Sequence, residues 1–376
     1  MKKILTIFGT RPEAIKMAML VKGLNAVPEL QHCLCVTAQH REMLDQVLDF
    51  FEIKPDYDLN LMKPGQDLID ITARSLTGLR DVYRDFKPDL VLVHGDTATC
   101  FTGALSAFYA GIPVGHIEAG LRTGNLQSPF PEEANRVLVG RIANWHFAPT
   151  QRNVDNLRKE GVPSDKIILT GNTVIDSLQY ASEQVKGFSN LVTDRKLRQI
   201  YESGQDILLI TGHRRENFGD GFIQICDALV EIAKRYPELF LVYPVHLNPN
   251  VQEPVYDRLG QVPNIHLTAP LNYPDFVYAM KNSWAILTDS GGVQEEAPGL
   301  GKPVLVMRDT TERPEAIEAG TVKLVGANQK EIIKGVVELL DSPELYKQMS
   351  IAHNPYGDGK AVSKIVSILK EKLDIS

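Results

Sequence analysis

Short apolar runs alternate with stretches whose apolar residues recur every three to four positions along most of this chain. Lys3–Phe8, Cys33–Thr37 and Pro113–Ile117 read as strands. Asp89–His94 (DLVLVH) is almost continuously apolar, as a strand buried on both faces must be. Between these runs the spacing predicts a helix opening at Pro12, with Ala14, Ile15, Met17, Ala18, Leu20 and Val21 on its apolar side. Further helices are expected over Glu42–Phe51, Asp67–Phe86 (stopped by Lys87-Pro88), Thr99–Tyr109 and Glu132–Ala143, with a strand at Ile167–Thr170. Apolar density falls between about Gln179 and Ser203, where a domain boundary is placed. The pattern then restarts with strands Asp206–Thr211, Phe240–Val245, Ile265–Thr268, Trp284–Thr288 and Pro303–Met307 and a helix over Gly221–Tyr236. An amphipathic helix over Ala361–Leu373 closes the chain. Such alternation means βαβ units on parallel sheets with helices on both sides. The expected fold class is α/β, with two doubly wound domains facing each other across a cleft; 376 residues is too long for one ordinary core.

Composition narrows the function. Apolar residues at 43% and charged residues at 23% are ordinary for a soluble globular chain, which argues against disorder and fibrous repeats. Lys+Arg 40 against Asp+Glu 47 leaves a net charge of -7, so a general nucleic-acid coat is disfavoured. No apolar run reaches the roughly 18 residues that a membrane helix needs. The basic start MKKILTIF resembles a signal sequence, but Gly9-Thr10-Arg11-Pro12-Glu13 cuts its apolar run short, and a cytoplasmic protein is expected. Cys33, Cys35, Cys100 and Cys226 lack paired CxxC spacing and read as reduced core thiols. Neither HExxH nor EF-hand spacing occurs, so no metal is expected.

In doubly wound sheets, ligands bind beyond the carboxyl ends of the strands, so the residues after each strand carry the candidate chemistry. After the first strand, Gly9 permits a tight turn and Pro12 suits a first helical position, with Arg11 and Lys16 adding positive charge. This is neither GxGxxG nor a Walker loop, which excludes the standard dinucleotide and P-loop sites and implies no nicotinamide cofactor. Asp96 follows DLVLVH, and Glu118 follows Pro113–Ile117 with no helical or capping reason to be there. Ser128-Pro129-Phe130-Pro131 launches a helix whose first residues are Glu132 and Glu133. A helix cap would explain Asp96 alone, and the helix dipole Glu132 and Glu133; three acids at successive edges of one domain are more informative. In the second half, His213, Arg214 and Arg215 follow DILLIT as an anion and proton-transfer set, with a helix cap or a structural hydrogen bond as the alternative for His213. His246 has the same alternatives with fewer charged neighbours. Ser290, Gly291 and Gly292 let backbone amides approach a phosphate at a helix start, with Glu295 or Glu296 one turn in for ribose hydroxyls. Arg313 lies in a further cationic loop, and Phe276 and Tyr273, in the loop after Ile265–Thr268, offer aromatic faces to a base.

The segments FGTRPEAIK, VLVHGDT, HIEAGLRTGN, SPFPEEANR, TGHRREN, LTDSGGVQEEAP and RDTTERPEA together resemble the non-hydrolysing bacterial UDP-N-acetylglucosamine 2-epimerases, in order and spacing, from residue 3 to about residue 360. The resemblance implies a GT-B type fold of two Rossmann-like domains, residues 1–180 joined by the C-terminal helix 359–376, and residues 181–358. It implies a homodimer without cofactor that interconverts UDP-N-acetylglucosamine and UDP-N-acetylmannosamine for surface polysaccharide synthesis. Carried over by motif, Ser290, Gly291 and Gly292 hold the diphosphate, Glu296 the ribose, and Phe276 and the backbone near Leu271 the uracil. Arg11, Lys16 and Arg313 complete the charge, and Asp96, Glu118, Glu132 and His213 match the acid–base and sugar-contacting positions. Gln39, His40 and Gln66 match a site at which a second substrate molecule activates some members. Gly65 and Glu42 depart from the Arg and Gln of some relatives there, which weakens the case for activation.

Deprotonation at C2, beside an amide nitrogen, is very difficult unless UDP first departs from C1. The expected route is elimination to a 2-acetamidoglucal and re-addition, with two acid–base groups on opposite faces. Two other readings share the UDP site: a hydrolysing epimerase or GT-B glycosyltransferase, and a catalytically silent UDP-sugar sensor. The acid-rich first domain argues against the plain transferase, and a sensor could dispense with the four acid–base candidates.

Overall fold

The computed structural model describes residues 1–38, 41–63, 65–186 and 194–375. The chain forms two units, Met1–Ser177 with Tyr356–Ser376, and Leu178–Pro355. The first holds seven strands: β1 (Lys2–Phe8), β2 (Leu30–Val36), β3 (Tyr57–Asp58), β4 (Leu90–His94), β5 (Val114–Ile117), β6 (Trp145–Ala148) and β7 (Ile167–Leu169). They lie in the order β3-β2-β1-β4-β5-β6-β7, and every pairing is parallel. The second unit holds β8 (Ile207–Thr211), β9 (Phe240–Pro244), β10 (Ile265–Thr268), β11 (Ala285–Thr288), β12 (Val304–Val306) and β13 (Val322–Leu324). Their order is β10-β9-β8-β11-β12-β13, again parallel throughout. Each sheet reverses its winding once, between β1 and β4 and between β8 and β11. Those two points are where a doubly wound sheet opens a crevice for ligands.

Apolar strand centres bury against amphipathic helices in each unit. Leu5, Ile7, Val91 and Val93 pack with Leu79, Val82, Phe86 and Ala104 in the first. In the second, Leu208, Ile210, Leu241 and Leu287 pack with Phe222, Ile225, Leu229 and Val336. Local sequence sets the helix ends. Thr10 and Glu13 form a capping box on helix Arg11–Asn25, and Asp67 and Asp70 form another on Leu68–Phe86, which stops at Lys87 in a left-handed conformation before Pro88. Helix Ala361–Lys372 belongs to the first unit: the Asp176 carboxylate accepts the N–H groups of Ala361 and Val362 at 3.2 and 3.0 Å. The four cysteines are free thiols, and burial pushes Cys35 and Cys226 up to about 12.

Three strands are absent from the apolar pattern. β3 has two residues, β6 (WHFA) is interrupted by the buried His146, and β13 (VKL) is short with a central lysine. β2 starts earlier than its apolar run, because Gln31 and His32 pair in register with Lys3 and Ile4 despite their polarity.

Candidate functional site

The neighbouring strands β1, β4 and β5 deliver Arg11 and Lys16, Asp96, and Glu118 from their carboxyl ends. At the first turn there is no room for a side chain: a Cβ on Gly9 would overlap the Thr37 and Thr99 hydroxyls. Glu118 directly follows β5 with a φ of +63°, in the left-handed region that costs a non-glycine residue roughly 1–3 kcal/mol. Its Oε1 lies 2.5 Å from Lys16 Nζ, and its Oε2 lies 3.0 Å from His94 Nε2. Asn172 Nδ2 donates to the same Oε1 at 3.5 Å. Burial alone would raise this carboxyl, but Lys16 and His94 outweigh it and hold it well below the usual carboxylate range. Glu118 is therefore an ionised, strained and nearly buried carboxylate, a combination more typical of working sites than of simple ion pairs.

Asp96 sits two residues beyond β4, and Arg136 pairs with its carboxylate. Arg136 NH1 reaches Glu133 Oε2 at 3.0 Å, and Asn135 Nδ2 donates to the Asp96 carbonyl at 2.8 Å. The other Glu133 oxygen accepts the Thr123 and Gly124 N–H groups at 3.0 and 2.9 Å. Glu132 is the first residue of helix Glu132–Ile142 and is half-buried. Thr97, next to Asp96, donates to Glu13 Oε1 at 2.7 Å, while Glu13 Oε2 accepts the Gly9 and Thr10 N–H groups at 3.1 and 2.9 Å. The loops after β1 and β4 are thereby tied together. Burial pushes the Glu13 carboxyl up even against these donors.

In the second unit, His213 follows β8, His246 follows β9, and Asp289-Ser290 follows β11. Asp289 is fully buried, and its Oδ2 accepts the His213 and Arg214 N–H groups, each at 2.9 Å. The His213 ring stacks on His246 at 5.3 Å between centroids. Ser290 is the N-cap of helix Gly291–Gly299, and Arg313 crosses its first turn. An added Cβ on Gly291 would lie 2.5 Å from Arg313 NH1. Arg313 pairs with Glu295 at 2.7 Å and Glu312 at 3.3 Å, and Glu312 also pairs with Arg308 at 2.9 Å. Burial would raise Glu312, but the two arginines win and hold it down at about 2. A helix terminus beside a guanidinium suits an anion such as a diphosphate.

Two sequence expectations change here. Tyr273 and Phe276 lie on helix Tyr273–Asn282, not in a loop, because Asn272 caps a helix that Pro274 can enter. Tyr273 is buried with its hydroxyl 3.4 Å from Glu296 Oε2, so it supports that carboxylate and does not offer a face to a base. Phe276 stays partly exposed, and Leu271 lies just ahead of the helix. Glu295, offered alongside Glu296 for sugar hydroxyls, is instead buried against Arg313. Gln39 and His40 lie outside the described residues; Gln66 Oε1 accepts the Lys63 N–H at 2.5 Å. Sequence reasoning did not single out Glu13, His94, Arg136 and Asp289, which bond to or surround these candidates, and it named Glu133 only as a helix-start acid beside Glu132. Thr10-x-x-Glu13 was readable as a capping box and Glu133-x-x-Arg136 as a helical pair, whereas His94 and Asp289 carry no local signal.

Comparison with known proteins adds a second line. A family model described as UDP-N-acetylglucosamine 2-epimerase matches residues 22–370. The chain is 56% identical over 369 residues to the UDP-N-acetylglucosamine 2-epimerase of Escherichia coli (strain K12), covering 98% of each. The crystal structure of UDP-GlcNAc 2-epimerase from Neisseria meningitidis bound to UDP-GlcNAc matches with a TM-score of 0.90 at 54% identity, over 98% of this chain and 100% of that one. That of the Methanocaldococcus jannaschii UDP-GlcNAc 2-epimerase, in complex with UDP-GlcNAc and UDP, gives 0.82 at 33% identity, over 98% and 99%.

Proposed function

The chain belongs to the UDP-N-acetylglucosamine 2-epimerase family, and on that premise we propose that it interconverts UDP-N-acetylglucosamine and UDP-N-acetylmannosamine without net hydrolysis. Glu118 carries the proposal: a nearly buried carboxylate, ionised and fixed in place by Lys16 and His94 beyond β5, is free to accept a proton once C2–H is acidified, although the partners that keep it ionised also make it a weaker base than a free carboxylate. As the C1–O bond to the diphosphate breaks, its electron pair leaves with UDP and positive charge grows at C1. The C2–H is thereby acidified; a carboxylate takes the proton, and the C–H electron pair becomes the C1=C2 bond of 2-acetamidoglucal. Re-addition of UDP, with a proton delivered to the opposite face of C2, gives the epimer. Glu118 or Asp96 serves one face, and Glu132 or His213 the other.

UDP is assigned to the second unit. The amides of Ser290, Gly291 and Gly292 and the Arg313 guanidinium take the diphosphate, Glu296 the ribose, and Phe276 and the Leu271 backbone the uracil. By the same motif match, Arg11 and Lys16 complete the positive charge. The family resemblance further supports a cytoplasmic homodimer whose product feeds surface polysaccharide.

Two measurements test these assignments. Incubation with UDP-N-acetylglucosamine in D2O, followed by proton NMR, is expected to yield UDP-N-acetylmannosamine carrying deuterium at C2. Accumulation of only UDP and free sugar would instead show hydrolysis and sink the non-hydrolysing assignment. Gly291→Ala is expected to push the Arg313 guanidinium off the helix start, at some cost to its buried pair with Glu295, and to bind UDP more weakly. One lost hydrogen bond to a charged group is worth about 1.5–3 kcal/mol, or roughly 10–100-fold in Kd. Unchanged affinity by calorimetry would remove Gly291 and Arg313 from the diphosphate site.

A further inference from the structure

Asp289 does more than a backbone staple requires. It is the residue between β11 and the Ser290 cap, at the point where the second sheet reverses its winding. One oxygen, Oδ2, accepts the His213 N–H and Arg214 N–H at 2.9 Å each and the Asn217 amide at 3.3 Å. Those three bonds join the loop after β8 to the loop that opens helix Gly291–Gly299. The other oxygen, Oδ1, is fully buried, has no hydrogen-bond partner among the described residues and lies 3.4 Å from His213 Nδ1. An asparagine could accept the same two backbone N–H groups, so stapling gives no reason to bury a charge here. A carboxylate facing an imidazole does give a reason: it fixes which nitrogen carries the proton and which way the ring points.

We propose that Asp289 is a positioning residue for His213, holding the ring with its Nδ1–H turned to the carboxylate and its Nε2 left as the nitrogen presented to substrate. The role for Nε2 rests on the epimerase reading above; the Asp289–His213 dyad does not. The face of the ring is covered by His246, whose own Nδ1 accepts the Asn248 N–H at 3.1 Å. His246 thus stacks on one face of the ring, and Asp289 supplies the negative charge facing His213.

The charged and titratable groups around His213 are Asp289 after β11, Arg214 beside it and His246 after β9; the Tyr243 hydroxyl bonds the neighbouring Gly212 carbonyl. Burial lowers the His213 value most, Asp289 raises it, and Arg214 and His246 lower it further, for a net lowering. Removing the Asp289 charge removes the one raising influence among the described residues. Any limb of a pH–rate profile governed by His213 therefore moves to lower pH, whether the ring acts as acid or as base.

The test uses the full chain with 15N-labelled histidine. In wild type, His213 is expected as the Nδ1–H tautomer when neutral. In Asp289→Asn its titration midpoint is expected to fall by about one unit, the low end for loss of an opposite charge at contact. In the same variant kcat is expected to fall by roughly 10²-fold, the scale of a misdirected acid–base group, with KM changing far less. A merely structural aspartate would move neither the tautomer nor the midpoint. An Nε2–H tautomer in wild type, or an unchanged midpoint in the variant, overturns the dyad. If Asp289→Asn does not fold, the wild-type tautomer alone decides. If the dyad signatures appear but wild type does not turn over UDP-N-acetylglucosamine, the epimerase reading fails and the dyad stands.

Discussion

Glu118→Gln is expected to lower kcat by roughly 10²–10⁴-fold, the range for loss of one acid–base group, with KM little changed. The substitution keeps the shape of the side chain and one oxygen to accept from Lys16, and it adds no backbone strain, since neither residue is a glycine at a φ of +63°. What it removes is the charge that balances the buried lysine and that, on the proposed route, takes the proton. Stability should fall too, toward the low end of the roughly 3–5 kcal/mol seen when one partner of a buried pair is lost. That part depends on pH. The Glu118 carboxyl is held well below its ordinary value, after Lys16 and His94 overcome its burial. Its stabilisation is therefore complete above the ordinary carboxyl value of about 4.3 and drains away as pH falls through the depressed native one. Denaturant melts at pH 7 and in acid should show wild type and variant converging as the medium becomes more acidic. A variant with kcat within tenfold of wild type would remove Glu118 from proton transfer.

The parallel sheets were legible because buried strands such as DLVLVH and DILLIT carry uninterrupted apolar runs. From parallel strands it follows that functional side chains gather at one end, so Arg11, Asp96, Glu118, His213 and Ser290 could be picked out as strand followers. Their partners could not. The bond from Lys16 to Glu118 spans 102 positions, that from His213 to Asp289 spans 76, and that from Arg136 to Asp96 spans 40. No local periodicity encodes such a pairing; it exists only once the strand order is known. Chemistry-bearing residue types were therefore visible, while what tunes them was not. The same limit misplaced Tyr273, whose hydroxyl meets a carboxylate 23 positions away.

Adjacent Glu132 and Glu133 pose that limit in its sharpest form, since one residue along a helix turns a side chain by about 100°. Glu133 points inward and is buried with both oxygens engaged, one by Arg136 and the other by the Thr123 and Gly124 N–H groups. Glu133→Ala leaves a buried guanidinium with Asp96 as its remaining carboxylate partner among the described residues and strips two loop N–H groups of their acceptor. The expected loss is about 3–5 kcal/mol, as for other broken buried pairs, out of a total of roughly 5–15 kcal/mol. At about 2–4 °C per kcal/mol for a unit of 150–250 residues, the melting temperature should drop by roughly 6–20 °C. Glu132→Ala, at a half-buried first helical position, should shift stability by only about 0.5 kcal/mol, yet reduce kcat by roughly 10²–10⁴-fold if it serves one face of the sugar. The two neighbours should thus separate cleanly in one pair of experiments, a thermal melt and a progress curve. A Glu133→Ala protein that melts like wild type would mean that the Asp96–Arg136–Glu133 chain does not hold the loop. A fully active Glu132→Ala protein would leave His213, steered by Asp289, as the remaining candidate for the opposite face.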